Sequence, residues 1–145
     1  MNVGDICNRV VATIGANQTA QEAAELMRTL HVGTLVVTEP DSGQPAPVGI
    51  LTDRDLTIDV MAEGLNPEEV LVADIMTSNP VMAEEDQDVS DALDAMSSEG
   101  IRRVPVLNQE RALVGILALD DVMHVLARDM ERMADIVGTQ MDTAV

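Results

Sequence analysis

Gly49-Ile50-Leu51-Thr52-Asp53-Arg54-Asp55-Leu56 has a counterpart 66 residues later, Gly115-Ile116-Leu117-Ala118-Leu119-Asp120-Asp121-Val122. Each stretch opens on a glycine, runs through two aliphatic residues as a short strand and turns polar where a helix would begin. A glycine within a strand lets another group approach the backbone closely. Thr52 with Asp55 three residues on is a variant of the capping box, which needs no ligand to explain it. The same geometry also suits a ligand. A helix N-terminus offers unpaired N–H groups to a phosphate, and a carboxylate one turn in can accept from two neighbouring ribose hydroxyls. The second copy keeps the carboxylate at Asp121 but has Ala118 in place of the hydroxyl. A pocket there lacks one hydrogen bond, worth about 0.5–1.5 kcal/mol, so the two sites should differ.

Working outward, the similarity extends over the whole chain. At an offset of 69 residues, Asp5-Ile6-Cys7 matches Asp74-Ile75-Met76, and Ala23, Met27, Val32, Leu35 and Val37 match Ala92, Met96, Ile101, Val104 and Val106. The first copy then has a longer loop, 39–47 against 108–112, after which the offset is three residues smaller. Each copy predicts a short first strand (10–14; 81–82) and a helix with apolar residues at helical spacing (19–30; 89–98). Two strands follow (34–37 and 48–51; 103–107 and 113–117), separated by Pro, Gly, Asp and Asn turn chemistry. A second helix starts near Asp53 and near Asp120. The fold class is therefore α/β (α+β), two β-α-β-β-α repeats at 1–64 and 70–128 joined by a linker, 65–69, next to Gly64 and containing Pro67. Halves of ~60 residues bury too little apolar surface alone, so they should pack together with pseudo-twofold symmetry. Residues 129–145 extend the last helix, with Val122, Val125, Leu126, Met130, Met133, Val137 and Met141 forming an apolar stripe. That stripe suits either packing on its own core or an interface.

Composition excludes several functions. The 145 residues carry 26 acidic against 8 basic side chains, a formal net charge of −18, and every basic residue is arginine. Nucleic-acid binding needs a basic face, and with no Phe, Tyr or Trp bases have no aromatic platform. Anionic membrane surfaces are disfavoured by the same charge. No stretch approaches the ~20 apolar residues of a membrane span, and residues 1–5 lack the positive charge of a signal peptide. A soluble, cytoplasmic protein is expected. Cys7 alone forms no internal disulfide and reads as a small apolar residue of the first strand or turn.

Catalytic chemistry is not evident. His31 and His124 are isolated from other ligand-type residues, so no metal site is expected. The run Glu84-Glu85-Asp86-Gln87-Asp88 reads as a solvated turn with favourable charge at a helix start, without EF-hand spacing. No nucleophile–base constellation or Gly-rich P-loop is present, and the chain is read as no enzyme. Met27 and Met96 fall at core-facing positions and fill space.

Two such repeats, each ending in Gly-aliphatic-aliphatic-(Thr/Ala)-x-x-Asp, together with Ile101-Arg102-Arg103-Val104-Pro105-Val106, resemble a stand-alone tandem pair of CBS (cystathionine β-synthase) domains. The resemblance covers residues from about 3 to 128 and implies a sensor that binds an adenosine-containing nucleotide (AMP, ADP or ATP, in some members NAD or S-adenosylmethionine) in two clefts between the repeats. It implies that Asp55 grips the ribose hydroxyls with Thr52 assisting, and that Asp121 does the same in the second cleft. Adenine would lie near Thr77, Pro80, Val81, Met82 and Ile101 for the Asp55 cleft, and near 9–13 and Val32 for the Asp121 cleft. Arg102 and Arg103 match the basic pair that reaches the phosphates, for which guanidinium is suited. Their counterparts are Gly33 and Thr34, so the clefts see the pair unequally, and the Asp55 cleft is the one favoured here for phosphate. Asp55→Ala is expected to abolish binding while barely altering the fold. The resemblance further implies a homodimer packed through helical faces and a protein partner that responds to occupancy. It requires no cofactor and leaves Mg2+ open. The alternative is a structural or oligomerisation module with empty, degenerate clefts.

Overall fold

The computed structural model describes residues 1–39 and 46–143, with side chains through Met141. Most of the longer loop of the first repeat and the last residues of the tail lie outside them. The first repeat comprises helix α1 (Val3–Ile6), strand β1 (Thr13–Gly15), helix α2 (Ala20–Leu30), strands β2 (Thr34–Thr38) and β3 (Pro47–Thr52), and helix α3 (Asp53–Leu56), which widens into a π turn at Thr57–Met61. The second comprises α4 (Val72–Ile75), β4 (Thr77–Ser78), β5 (Ala83–Glu84), α5 (Val89–Glu99), β6 (Arg103–Leu107), β7 (Leu113–Ala118) and α6 (Leu119–Thr143).

The repeat is written in the backbone hydrogen bonds. Within each half a first strand runs parallel to the second, which pairs antiparallel with the third: β1-β2-β3 and β5-β6-β7. Both hairpins break register near the same place, between Val37 and Thr38 and between Val106 and Leu107. Val36, Val37, Val104 and Val106 are β-branched and buried, as suits a strand covered by helices. Helix α2 starts at Thr19, whose hydroxyl accepts from the Glu22 N–H at 3.1 Å, and α5 starts at Asp88, whose carboxylate accepts from the Ser90 N–H at 2.8 Å. Both helices end on a left-handed residue, His31 (φ 55°) and Gly100 (φ 65°).

The first strands lie further along than the sequence indicated. Val10 is 83% exposed, and the parallel pairing begins only at Thr13. In the second copy Pro80 has no N–H to contribute to a ladder, and pairing begins at Ala83. The one-turn helices α1 and α4 were not anticipated, since four residues are too few to show a period.

Those short helices carry the main topological feature. Val3, with Ile6 and Cys7 beside it, packs in the core built from Val89, Ala92, Met96, Val104, Val106 and Leu117 of the second repeat. Val72, with Ile75 and Met76, packs in the core of the first, with Ile14, Ala23, Met27, Leu35 and Leu51. The backbone anchors match: Val3 N–H donates to Gln87 O at 2.9 Å and Val72 N–H to Gln18 O at 2.8 Å. Beyond the helices, β4 adds to the first sheet against Gly49 and Ile50, and Asn8 pairs with Ile116. Each repeat thus lends its leading segment to the other. The strand glycines make room for it. A Cβ at Gly115 would stand 2.7 Å from Cys7 Sγ and 2.9 Å from Asn8 O, and one at Gly49 would meet Met76 Sδ and Thr77 O. The group that needs this close approach is therefore the exchanged arm of the chain.

Candidate functional site

Thr52 and Asp55 form the complete capping box of α3. Thr52 Oγ1 accepts from the Asp55 N–H at 3.2 Å, and Asp55 Oδ2 accepts from the Thr52 N–H at 2.8 Å. One oxygen of the half-buried Asp55 carboxylate is thus engaged by the chain itself, which makes Asp55 part of the helix start as well as a ligand candidate. Asp121, also half-buried, occupies the same place in the first turn of α6. Ala118 offers no hydroxyl, and among the described residues nothing donates a hydrogen bond to the Asp121 carboxylate. Both of its oxygens remain available. The two helix starts are otherwise held alike: Asp53 N–H donates to Gly33 O at 2.9 Å, and Leu119 N–H to Arg102 O at 2.8 Å.

Asp121 faces a cleft of about 330 Å³ lined from both repeats: Asn8, Val10, Val11, Ala12 and the corner 31–34 on one side, Arg103, Ile116, Ala118 and Asp120 on the other. The segment 9–13 and Val32, named from the resemblance for this cleft, therefore contribute Val10, Val11, Ala12 and Val32. Arg9 instead turns to Glu85 (2.9 Å) and Gly4 O (2.9 Å). Arg103 lies across the strand pair from Ala118, as Thr34 lies across from Thr52. A threonine pair in one repeat is an arginine–alanine pair in the other, and Arg103, Ala118 and Asp121 line one cleft.

Arg103 and Asp121 line the same cleft, and neither Arg102 nor Arg103 is among the described residues that line the depression at Asp55. The hairpin register carried that signal, since β6 and β7 must pair within one repeat. Arg102 is exposed and holds Asp120 at 2.8 Å.

Asp55 borders a broader depression of about 690 Å³ shared with Thr77, in which Asp59, Glu63, Glu69 and Asp74 also take part. Among the described residues lining it, five are carboxylates and none is basic. Pro80 is buried, Met82 is half-buried, and Val81 and Ile101 pack against the second core. Among the described residues no group of three or more His, Cys, Asp or Glu side chains is arranged to hold a metal ion, and no helix is long and apolar enough to cross a membrane. Cys7, at the end of α1, is a half-buried packing residue. Burial raises its thiol pKa, opposed by the nearby Arg9 guanidinium and reinforced by Glu85 and Asp121.

The CBS domain family model matches residues 3–61 and 72–128; the chain belongs to the CBS-domain family, as a tandem pair. It is 39% identical over 126 residues to the uncharacterized protein MK0525 of Methanopyrus kandleri, an alignment covering 86% of this chain and 62% of that one. The chain therefore spans less than two thirds of that relative's length. Among solved structures, the CBS domain protein PAE2072 from Pyrobaculum aerophilum, complexed with AMP, superposes with a TM-score of 0.75 at 26% identity, covering 83% of this chain and 89% of that one. The CBS domain pair of protein MJ0100, in complex with 5′-methylthioadenosine and S-adenosyl-L-methionine, gives a TM-score of 0.76 at 26% identity, covering 89% and 98%.

Proposed function

We propose that this chain is a non-enzymatic regulatory module that binds an adenosine-containing nucleotide of the AMP, ADP or ATP class between its repeats and relays occupancy to a protein partner. It works as a cytoplasmic homodimer and requires no cofactor. The observation that carries the reading is the Asp121 cleft, where an unengaged carboxylate, an arginine without an ion pair among the described residues and an aliphatic wall converge. The AMP held by PAE2072 and the adenosine compounds held by MJ0100 support the ligand class.

In this reading Asp121 accepts hydrogen bonds from both ribose hydroxyls. Arg103 donates to a phosphate, and charge-assisted contacts of this kind are the strong ones. Adenine lies between Val10–Val11–Ala12 and Val32, read by backbone groups because the chain has no aromatic residue. Asp55, assisted by Thr52, holds a second ribose, with Thr77, Pro80, Val81, Met82 and Ile101 toward its base and Arg102 toward the pseudo-twofold axis. The carboxylates around Asp55 repel phosphate, so the phosphorylated ligand prefers the Asp121 cleft. Because both repeats line that cleft, an occupant changes how they sit together. Relay requires that it bind one arrangement more tightly than the other.

The test is thermal unfolding of ligand-free protein by circular dichroism, alone and with AMP, ATP, NAD or S-adenosylmethionine at equal concentration. A ligand at 100 times its Kd adds about 2.7 kcal/mol to stability. A shift selective for one compound establishes the sensor and its ligand. No shift with any of them favours the structural module with empty clefts.

A further inference from the structure

Helix α6 does not stop where the repeat stops. Its counterpart in the first repeat ends with the π turn at Met61, whereas α6 continues to Thr143, a length of about 37 Å at 1.5 Å per residue. Val122 is buried in the second core and Val125 is half-buried, but from residue 126 to 141 every position except the half-buried Asp129 is exposed. A helix draws most of its stability from packing an apolar face, and this one has its face on the outside, with Gly138 in its span. Leu119, Met123, Leu126, Met130, Met133 and Val137 succeed one another at intervals of 4, 3, 4, 3 and 4 residues. That is a 3.5-residue repeat, the seam of a two-stranded coiled coil, and it runs through three heptads.

The flanks of the seam indicate what covers it. On one side stand Asp120, Ala127, Ala134 and Met141, on the other the core residue Val122, then Asp129 and Ile136. Both charges among them are already paired, Asp120 with Arg102 and Asp129 with Arg132 along the helix. The remaining charges of the extension, Arg128, Glu131 and Asp135, fall on the outer face. Two copies of a chain with net charge −18 repel over most of their surface, and an acid-poor seam is where they can approach. Past the half-buried Leu119, the seam side chains are 49% (Leu126) to 69% (Met130) exposed, and the flanking Ile136 and Met141 are exposed as well. Together they amount to an area on the order of the ~800 Å² that each partner brings to a standard interface.

We infer that α6 is the self-association element of this protein: two copies pair along the 119–137 seam as a two-stranded coil that starts in the second CBS domain and continues past its end at residue 128. The inference rests on the homodimer reading for the number of copies, but not for where they touch. Since Asp121 stands in the first turn of α6, the seam and the Arg103 cleft share one continuous helix, which gives occupancy a direct mechanical route to the paired extension.

Sedimentation equilibrium of the full ligand-free chain tests this, with the double variant Met130→Glu/Met133→Glu beside Arg128→Glu. Both add two units of negative charge, the first on the seam and the second on the outer face. All these positions are exposed, and circular dichroism melts verify that each variant folds. The expected result is a wild-type dimer whose dissociation constant rises at least 100-fold in the double variant and changes by no more than a few-fold in Arg128→Glu. A dimer equally tight in the double variant overturns the seam while leaving the homodimer reading intact. A monomeric wild type across the accessible concentrations overturns both and leaves the seam to a different protein's helix.

Discussion

The two helix starts, Thr52–Asp55 and Ala118–Asp121, are the same backbone with its polar groups assigned differently. In the first repeat the carboxylate closes a capping box, and the depression around it is crowded with like charge. In the second the cap is missing, the carboxylate is unengaged and an arginine replaces the threonine across the strand pair. Under the proposed function, what the second site loses in local helix stability it gains in capacity to take an anionic ligand. The two helix starts share one backbone, and a few side chains make their polar surroundings differ.

The largest expected effect separates the roles of the carboxylates. Asp121→Ala removes the acceptor of two ribose hydrogen bonds to a charged group, each worth about 1.5–3 kcal/mol. AMP affinity measured by calorimetry should fall by roughly 100-fold or more, with the melting temperature of the ligand-free protein barely changed. Asp55→Ala should instead lower the melting temperature, since it removes the acceptor of the Thr52 N–H, a hydrogen bond worth about 0.5–1.5 kcal/mol. Equal affinity losses with unchanged stability in both variants would erase the distinction. Arg103→Ala comes next. AMP binding should weaken about 10- to 100-fold, the loss of one charge-assisted contact, while adenosine binding is unaffected. An equal loss for adenosine would show that Arg103 does not read the phosphate.

The glycines sharpen the comparison through stability. Gly115→Ala drives a methyl group against Cys7 Sγ and the backbone oxygen of Asn8, an overpacking that costs about 1–3 kcal/mol. At Gly49 the nearest atoms belong to the flexible side chain of Met76, so Gly49→Ala should cost less in a denaturant titration. The reverse order would mean that the arm of the first repeat yields more readily than that of the second. The smallest effects concern the caps. Thr52→Ala should cost about 1 kcal/mol and Ala118→Thr return a similar amount to α6, each a displacement of about 2–4 °C in the melting temperature for a chain of this size.

Much of this architecture could be read directly from the residues. The offset matches between the copies, from Ala23 with Ala92 to Val37 with Val106, lie in core strands and helices, where burial constrains side-chain type. That constraint leaves a periodic trace. The arm exchange left no such trace, because α1 and α4 are single turns and a pairing between distant segments has no local pattern. Its one legible sign was the glycine within β3 and β7, which announced a close neighbour without saying which. The carboxylates of both clefts stood out through their place after a strand. The side on which Arg103 lies was legible only through the β6–β7 register, Arg103 opposite Ala118, which the motif alone does not state. The stripe on α6 was visible as a stripe; its exposure follows from how far the helix outruns its repeat, which the spacing alone does not reveal.

The exchange of arms also bears on how the protein responds to being cut. The core of each repeat is completed by a residue from the other side of the linker: Val3 lies in the second core and Val72 in the first. A protease that nicked the exposed stretch around Gly64 and Leu65 would sever the chain without releasing either piece. The two fragments would remain clasped through each other's leading turns, and separately produced halves would find their missing wedge only in one another.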